Sequence, residues 1–422
     1  MMILAKHGLG RAFLAAAIMV TGGCATASAD DRAAEEAVYM KRYQAQAEAA
    51  QYGGGLPAYD TLEPVAGAAE IDPIPTAAPD ISNSAMATAR TFAADRNTSA
   101  FLVWHKGALV EETYFGDYDR SALINAKSLA KPITAIVIGR AIAEGYVQSL
   151  DQPVADFITE WRNDPGKSKI LIRHLLDMRT GLLAQGEPTG PEDVLQRAYL
   201  HPRHDQIIID EYPLINPPGT RYEYANANSE LIAPLIERAT GMRYADYLTK
   251  MVLEPLGAGG GTIFVNRPGG TAHSGCCIQL PAQTYLKLGI LLLQDGVWDG
   301  TRLLPEGYVP AMRTPTRENP HAGLGVWMAE PYIERRGSLN PGLDIGRTLH
   351  SEPYAASDLF LFDGNSHQVV YIVPSENLVI LRTGNYPPKD RPWDNSLIPN
   401  SIIGGIHAER GDAPPIAHTG AK

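Results

Sequence analysis

The apolar pattern of this chain changes period twice, and those two changes constrain its fold more than any other feature. Residues Ala100 to His105 and Ala108 to Phe115 are rich in β-branched, aromatic and other strand-forming types around a Lys106-Gly107 turn. From Ser128 to about Leu293 the apolar residues recur mostly at helical spacing. Strand-like runs return at Leu324 to Ala329, Gln368 to Val373 and Leu378 to Thr383, the last two joined through Pro374-Ser375-Glu376-Asn377. Strands at both ends and helices between them predict an α+β fold. Its antiparallel sheet is formed by both chain ends and flanked by helices, with a helical subdomain inserted.

The segment ahead of the first strand sets the compartment. Lys6 and Arg11 precede the apolar run Ala12 to Val20, which is too short to span a bilayer and reads as a signal peptide. Two exits are open: cleavage after Ala27-Ser28-Ala29, or a lipobox-like Thr21-Gly22-Gly23-Cys24 that would lipidate Cys24. Either predicts an exported protein, periplasmic or anchored by lipid to the outer membrane. Asp31 to Gln51, rich in Ala, Glu and Gln, predicts a helix, and the Pro- and Ala-dense stretch Leu56 to Asp80 an extended connector. The expected organisation is a leader at 1–29 (or one ending before Cys24), an N-terminal extension at 30–80, a main domain at 81–408 and a flexible tail at 409–422.

Composition excludes several classes of function. A net charge of −11 makes the chain a poor partner for nucleic acid or anionic lipid, and no later apolar run is long enough to cross a bilayer. Three cysteines, one of them in the leader, give no disulfide framework, so Cys276-Cys277 is expected to be a buried thiol pair.

The chemistry is carried by Ser128-Leu129-Ala130-Lys131, which opens an apolar helix ended by Gly145. A lysine one turn after a serine lies on the same helix face. Serine is a poor nucleophile until a base takes its proton, and N–H groups at a helix start can also bind an oxyanion. Downstream, Pro217-Pro218-Gly219 turns the chain into Tyr222-Glu223-Tyr224-Ala225-Asn226 ahead of another helix. A tyrosine beside an ammonium can serve as general base, and an asparagine can hold the lysine. On these residues Ser128, Lys131, Tyr224 and Asn226 are candidates for one acyl-transfer site.

These motifs resemble those of the serine β-lactamase and penicillin-binding-protein superfamily, on its class C and carboxylesterase side, nearest to the 6-aminohexanoate-dimer hydrolases. The likeness runs from about Ser84 to Ile406. It includes Ile172-Arg173-His174-Leu175-Leu176-Asp177-Met178-Arg179-Thr180-Gly181-Leu182 and Gly364-Asn365-Ser366-His367-Gln368 before Val369 to Pro374. The resemblance implies that Ser128 is the nucleophile, that Lys131 and Tyr224 form the base network and that Asn226 supports them. It also implies that the backbone of Asn365, after Gly364, helps bind the oxyanion. Many relatives carry a cationic third motif on the strand lining the site. The matching stretch here, Leu359-Phe360-Leu361, has no cation. That departure argues against a substrate held by its carboxylate and ranks small carboxylic esters or amides first. A β-lactamase, a D-amino-acid peptidase and a penicillin-binding sensor that does not turn over remain alternatives.

No metal or organic cofactor is implied, and the expected partner is a small-molecule substrate. His174 reads as a buried structural histidine, and His201 and His204 lack a sequence neighbour that would complete a metal site. The long stretch 330–355 is expected to cover the site.

Overall fold

The computed structural model describes residues 29–51, 60–337 and 347–412. Residues 1–28, where the expected leader and Cys24 fall, and the end of the expected tail lie outside the described residues. Six antiparallel strands form the main sheet, in the order Ala108–Tyr114, Thr98–His105, Leu378–Gly384, Gln368–Val373, Phe360–Gly364, Trp327–Met328. Strands from the two ends of the domain meet at its centre, where Leu381 lies opposite both Leu102 and Val370. This is the arrangement expected from the two changes of period.

Alternation along each strand sends side chains to two different cores. Leu102, Val370, Ile372, Val379 and Leu381 join the larger core, which includes Leu286 and Ile290 of the helix Ala282–Leu293. Phe101, Val103, Tyr371 and Ile380 face the smaller one, closed by the terminal helices Asn83–Ala94 and Leu397–Arg410. Both faces of the sheet are therefore covered, which is why its central strands are apolar at nearly every position. Gly289 lets a helix approach the sheet closely, since a Cβ there would meet Val370 Cγ1 at 2.8 Å and Val379 Cγ1 at 2.9 Å.

The helix that follows Ser128 runs Ala130–Ala143 and is buried on all sides from Ala130 to Ala141. Its apolar circumference fits a helix through the middle of a domain. Gly145, with φ +78°, ends the exit turn.

Within the Pro- and Ala-rich connector, Leu62–Gly67 pairs with Gly259–Phe264 at the edge of a second, four-stranded sheet. Two local expectations are corrected. Two strands of that sheet, Gly259–Phe264 and Ile278–Pro281, interrupt the region read as helical. The strand expected over 324–329 shortens to Trp327–Met328, because Gly325 adopts φ +73°.

The predicted N-terminal helix is present as Ala29–Gln51. Its Tyr39 is fully buried, and the Tyr39 hydroxyl donates to the Pro191 carbonyl. Arg42 joins Asp60 (2.7 Å) to the Leu200 carbonyl (3.0 Å). Glu35 with Arg203 (2.6 Å) and Glu36 with Arg197 (3.0 Å) add further anchors to this helix.

Candidate active site

Ser128 sits in a single 3-10 turn, Lys127–Leu129, that feeds directly into the helix Ala130–Ala143. The residue before it, Lys127, has φ +49°, and Asn125 Oδ1 accepts from the Lys127 N–H at 2.9 Å. The local backbone strain thus lies just ahead of Ser128, a left-handed conformation that a lysine adopts only at a cost. Pro132 lies within the regular part of the helix.

The structure brings all four motif residues together. Ser128 Oγ is 2.8 Å from the Tyr224 hydroxyl and 3.2 Å from Lys131 Nζ. Lys131 also donates to Asn226 Oδ1 at 3.0 Å and to the Gly275 carbonyl at 3.1 Å. An ammonium has three N–H donors, and these three acceptors use them all. Lys131 is buried, lies 4.8 Å from the Tyr224 ring centroid and, among the described residues, has no carboxylate partner. Lys131 thus holds Ser128, Asn226 and the Gly275 carbonyl together, and the Tyr224 hydroxyl faces Ser128 Oγ. Asn226 opens the short helix Asn226–Glu230, which fixes its side chain beside the lysine.

The turn Gly364 to Gln368 closes the other wall. A Cβ on Gly364 would stand 3.1 Å from the Leu129 nitrogen and 3.4 Å from the Ala126 carbonyl, so a residue without a side chain lets this strand end press against the nucleophile turn. Asn365 lines the cleft with Ser128, and its Oδ1 accepts from the Ser366 N–H at 2.9 Å and from the Tyr386 hydroxyl. Ser366 and His367 both have positive φ. Gln368 Nε2 donates to the Asn125 carbonyl at 2.8 Å, and Lys127 Nζ donates to Ser366 Oγ, so two side chains tie this turn to the segment that leads into Ser128. Beneath it the fully buried Arg382 donates to the carbonyls of Ser366 (2.7 Å) and His367 (3.0 Å), and burial pushes its guanidinium down to about 9. Sequence reasoning passed over Lys127 and Arg382, although a cation next to the nucleophile and an arginine inside an apolar strand were both visible signals.

The cleft has a volume of about 470 Å³. Leu359, Phe360 and Leu361 are fully buried and do not line it, whereas Asp363 to His367 do. The stretch Leu359-Phe360-Leu361 brings no cation to the cleft, but other elements do. Arg336 and Arg347 reach the cleft from the ribbon Arg335–Gly337 and Arg347–Leu349, and Lys127 lines an adjoining lobe. Part of the 330–355 stretch therefore stands at the rim of the site. Arg336 is paired with Asp363 and lies over the Trp327 ring, 4.0 Å from its centroid.

The remaining singled-out residues have structural partners. His174 is buried, its Nδ1 accepts from the Leu171 N–H at 3.2 Å, and burial pushes it down to about 4. His201 turns toward Glu36 at 3.5 Å. His204 is the exception: the fold brings it to Glu230 (3.7 Å) and His273, partners distant in sequence. The two imidazoles stack 3.8 Å apart at 16°, so a single ion cannot lie in both ring planes, and the donor set does not suit a metal. Cys276 and Cys277 are joined by a disulfide, not left as thiols.

The beta-lactamase family profile matches residues 85–398. That is most of the chain and contains every residue of the site. The chain belongs to the beta-lactamase family. It is a serine hydrolase of that family, and among the relatives it resembles is the 6-aminohexanoate-dimer hydrolase of Paenarthrobacter ureafaciens. The two are 28% identical over 269 residues, 60% of this chain and 67% of the relative. Esterase EstB of Burkholderia gladioli is 29% identical over 146 residues, 32% of this chain and 37% of the esterase. Among solved structures, one from Bacillus anthracis, provisionally described as a 6-aminohexanoate-dimer hydrolase, superposes with a TM-score of 0.66 at 19% identity, covering 88% of this chain and 95% of that one. A penicillin-binding protein homolog from Caulobacter crescentus gives 0.56 at 17% identity, over 78% and 98%. At these identities the superpositions establish the fold alone.

Proposed function

We propose that this protein cleaves a small carboxylic ester or amide through an acyl-enzyme on Ser128. The observation that carries the reading is the Ser128 Oγ within 2.8 Å of Tyr224 and 3.2 Å of Lys131 at the floor of an open cleft. Tyr224, with Lys131 beside it, accepts the serine proton as Oγ bonds to the substrate carbonyl carbon. The backbone N–H groups of Ser128 and Asn365 hold the oxyanion. Collapse expels the alcohol or amine, which takes the proton from Tyr224. Water then attacks the acyl-serine by the reverse route and releases the acid. Relatives named esterase EstB and 6-aminohexanoate-dimer hydrolase support this pair of substrate classes. The short apolar run Ala12 to Val20 behind Lys6 and Arg11 supports export, with cleavage after Ala29 or lipidation at Cys24, and the N-terminal mass of the processed protein tests both.

The test is hydrolysis of p-nitrophenyl butyrate by residues 30–422 and by the Ser128→Ala variant. The wild type turns the ester over and the variant loses at least about 10³-fold in kcat. Equal rates in the two proteins overturn the assignment. The cations near the cleft favour a second reading, a β-lactam or D-amino-acid peptide substrate, both of which carry a carboxylate. Under that reading nitrocefin is hydrolysed, or a labelled penicillin is retained, while the butyrate is not.

A further inference from the structure

Beside Ser128 the cleft opens into a second lobe of about 270 Å³, and Lys127 is the one charged residue among those described that line it. Gln46, Gln185, Gln196 and Tyr199 supply neutral polar groups around it. We propose that Lys127 is a recognition cation for substrates bearing a carboxylate within a few bonds of the scissile carbonyl. This deepens the acyl-enzyme reading and rests on it.

Four observations carry the assignment. Among the described residues no carboxylate pairs with Lys127, whose ammonium donates to Ser366 Oγ and stands 5.4 Å from the Tyr386 ring centroid. An ammonium held by one hydroxyl keeps two further N–H donors for a ligand. The side chain is delivered there by a left-handed backbone at φ +49°, fixed by Asn125, and strain of that kind persists where the surroundings impose it. Of the other cations at the cleft, Lys131 has its donors committed to Ser128, Asn226 and Gly275, Arg336 is committed to Asp363 and the Trp327 face, and Arg347 stands exposed at the rim.

Partial burial, with Arg382 as a secondary cause, holds the Lys127 amine below the ordinary lysine range. An arriving carboxylate would reverse that shift and gain a charge-assisted hydrogen bond. The overall charge of −11 does not forbid such a ligand, because distant surface charges are screened over about 10 Å at 0.1 M salt. The local cation decides.

The experiment measures kcat/KM for two matched pairs of esters. Mono-p-nitrophenyl glutarate against p-nitrophenyl valerate places the carboxylate on the acyl side. 4-Carboxyphenyl butyrate against 4-(methoxycarbonyl)phenyl butyrate places it on the leaving group. Wild type favours the anion at least about 10-fold in one pair, chiefly through KM. Lys127→Gln, which keeps a donor for Ser366 but not the charge, brings that ratio close to one, and Lys127→Arg keeps the preference. A wild type without preference in either pair overturns the proposal. So does a Lys127→Gln variant that slows both members equally, the signature of a strap between two turns. In these cases the neutral esters are still hydrolysed and the acyl-enzyme reading stands; failure to hydrolyse any of the four overturns that reading and this one with it.

Discussion

At the scale of single residues, the site depends on how few groups do several things at once. Lys131 satisfies Ser128, Asn226 and the Gly275 carbonyl with one ammonium. Lys131→Met removes that charge without opening a large cavity, and leaves Asn226 Oδ1 and the Gly275 carbonyl without their donor. Tyr224→Phe removes only the hydroxyl that faces Ser128. Each is expected to lower kcat about 10²–10⁴-fold. Ester hydrolysis by either variant at the wild-type rate would show that the base lies elsewhere. These four residues were legible because the serine and lysine are three apart at a helix start and the tyrosine and asparagine follow a Pro-Pro-Gly turn. The supports around them were not. Lys127 meets Ser366 across 239 positions, and Gln368 meets Asn125 across 243, so no local pattern announces either contact.

At the scale of elements, the first turn of the helix Ala130–Ala143 is pinned by backbone from a distant strand end. Gly325 lies so close that a Cβ there would stand 2.8 Å from the Lys131 carbonyl oxygen, and its φ of +73° already disfavours a side chain. Gly325→Ala is therefore expected to cost about 2 kcal/mol of stability and to lower kcat by shifting Lys131. Denaturant unfolding beside ester kinetics checks both; an alanine variant with unchanged stability and rate would refute the close packing. The same glycine explains why the strand read over 324–329 was too long. An apolar run signals strand, but it does not reveal that its glycine must reach another backbone. The small sheet was missed for a related reason: Gly259-Gly260-Gly261 carries no alternation to read, yet its lack of side chains lets Leu62–Gly67 pair beside it.

At the scale of the whole molecule, the change of period along the chain was enough to place the main sheet and the inserted helices, while the cleft between them was implied only by the family resemblance. What it did not show is how many titratable groups this fold buries. Burial pushes His174 down to about 4 and His350 down to about 3, and it lowers His273 as well. An unfolded histidine titrates near 6.5, so between that value and the folded one the unfolded chain binds more protons. The stability that neutral burial provides is complete above pH 6.5 and is lost as the pH falls toward 4. At pH 4.5 the loss is about 2–3 kcal/mol for each of His174 and His350. The midpoint of thermal unfolding is expected to fall by about 10 °C between pH 7.5 and 4.5. A flat profile over that range would mean that these rings accept protons in the folded state.

The central claim is that Ser128 becomes acylated, and labelling tests it most directly. The protein is treated with a fluorophosphonate, digested and mapped by mass spectrometry, while ester hydrolysis is followed in parallel. The account predicts one adduct on the peptide containing Ser128, formed in step with the loss of activity and absent from Ser128→Ala. An adduct on another serine that abolishes turnover, or full activity with Ser128 modified, would contradict it.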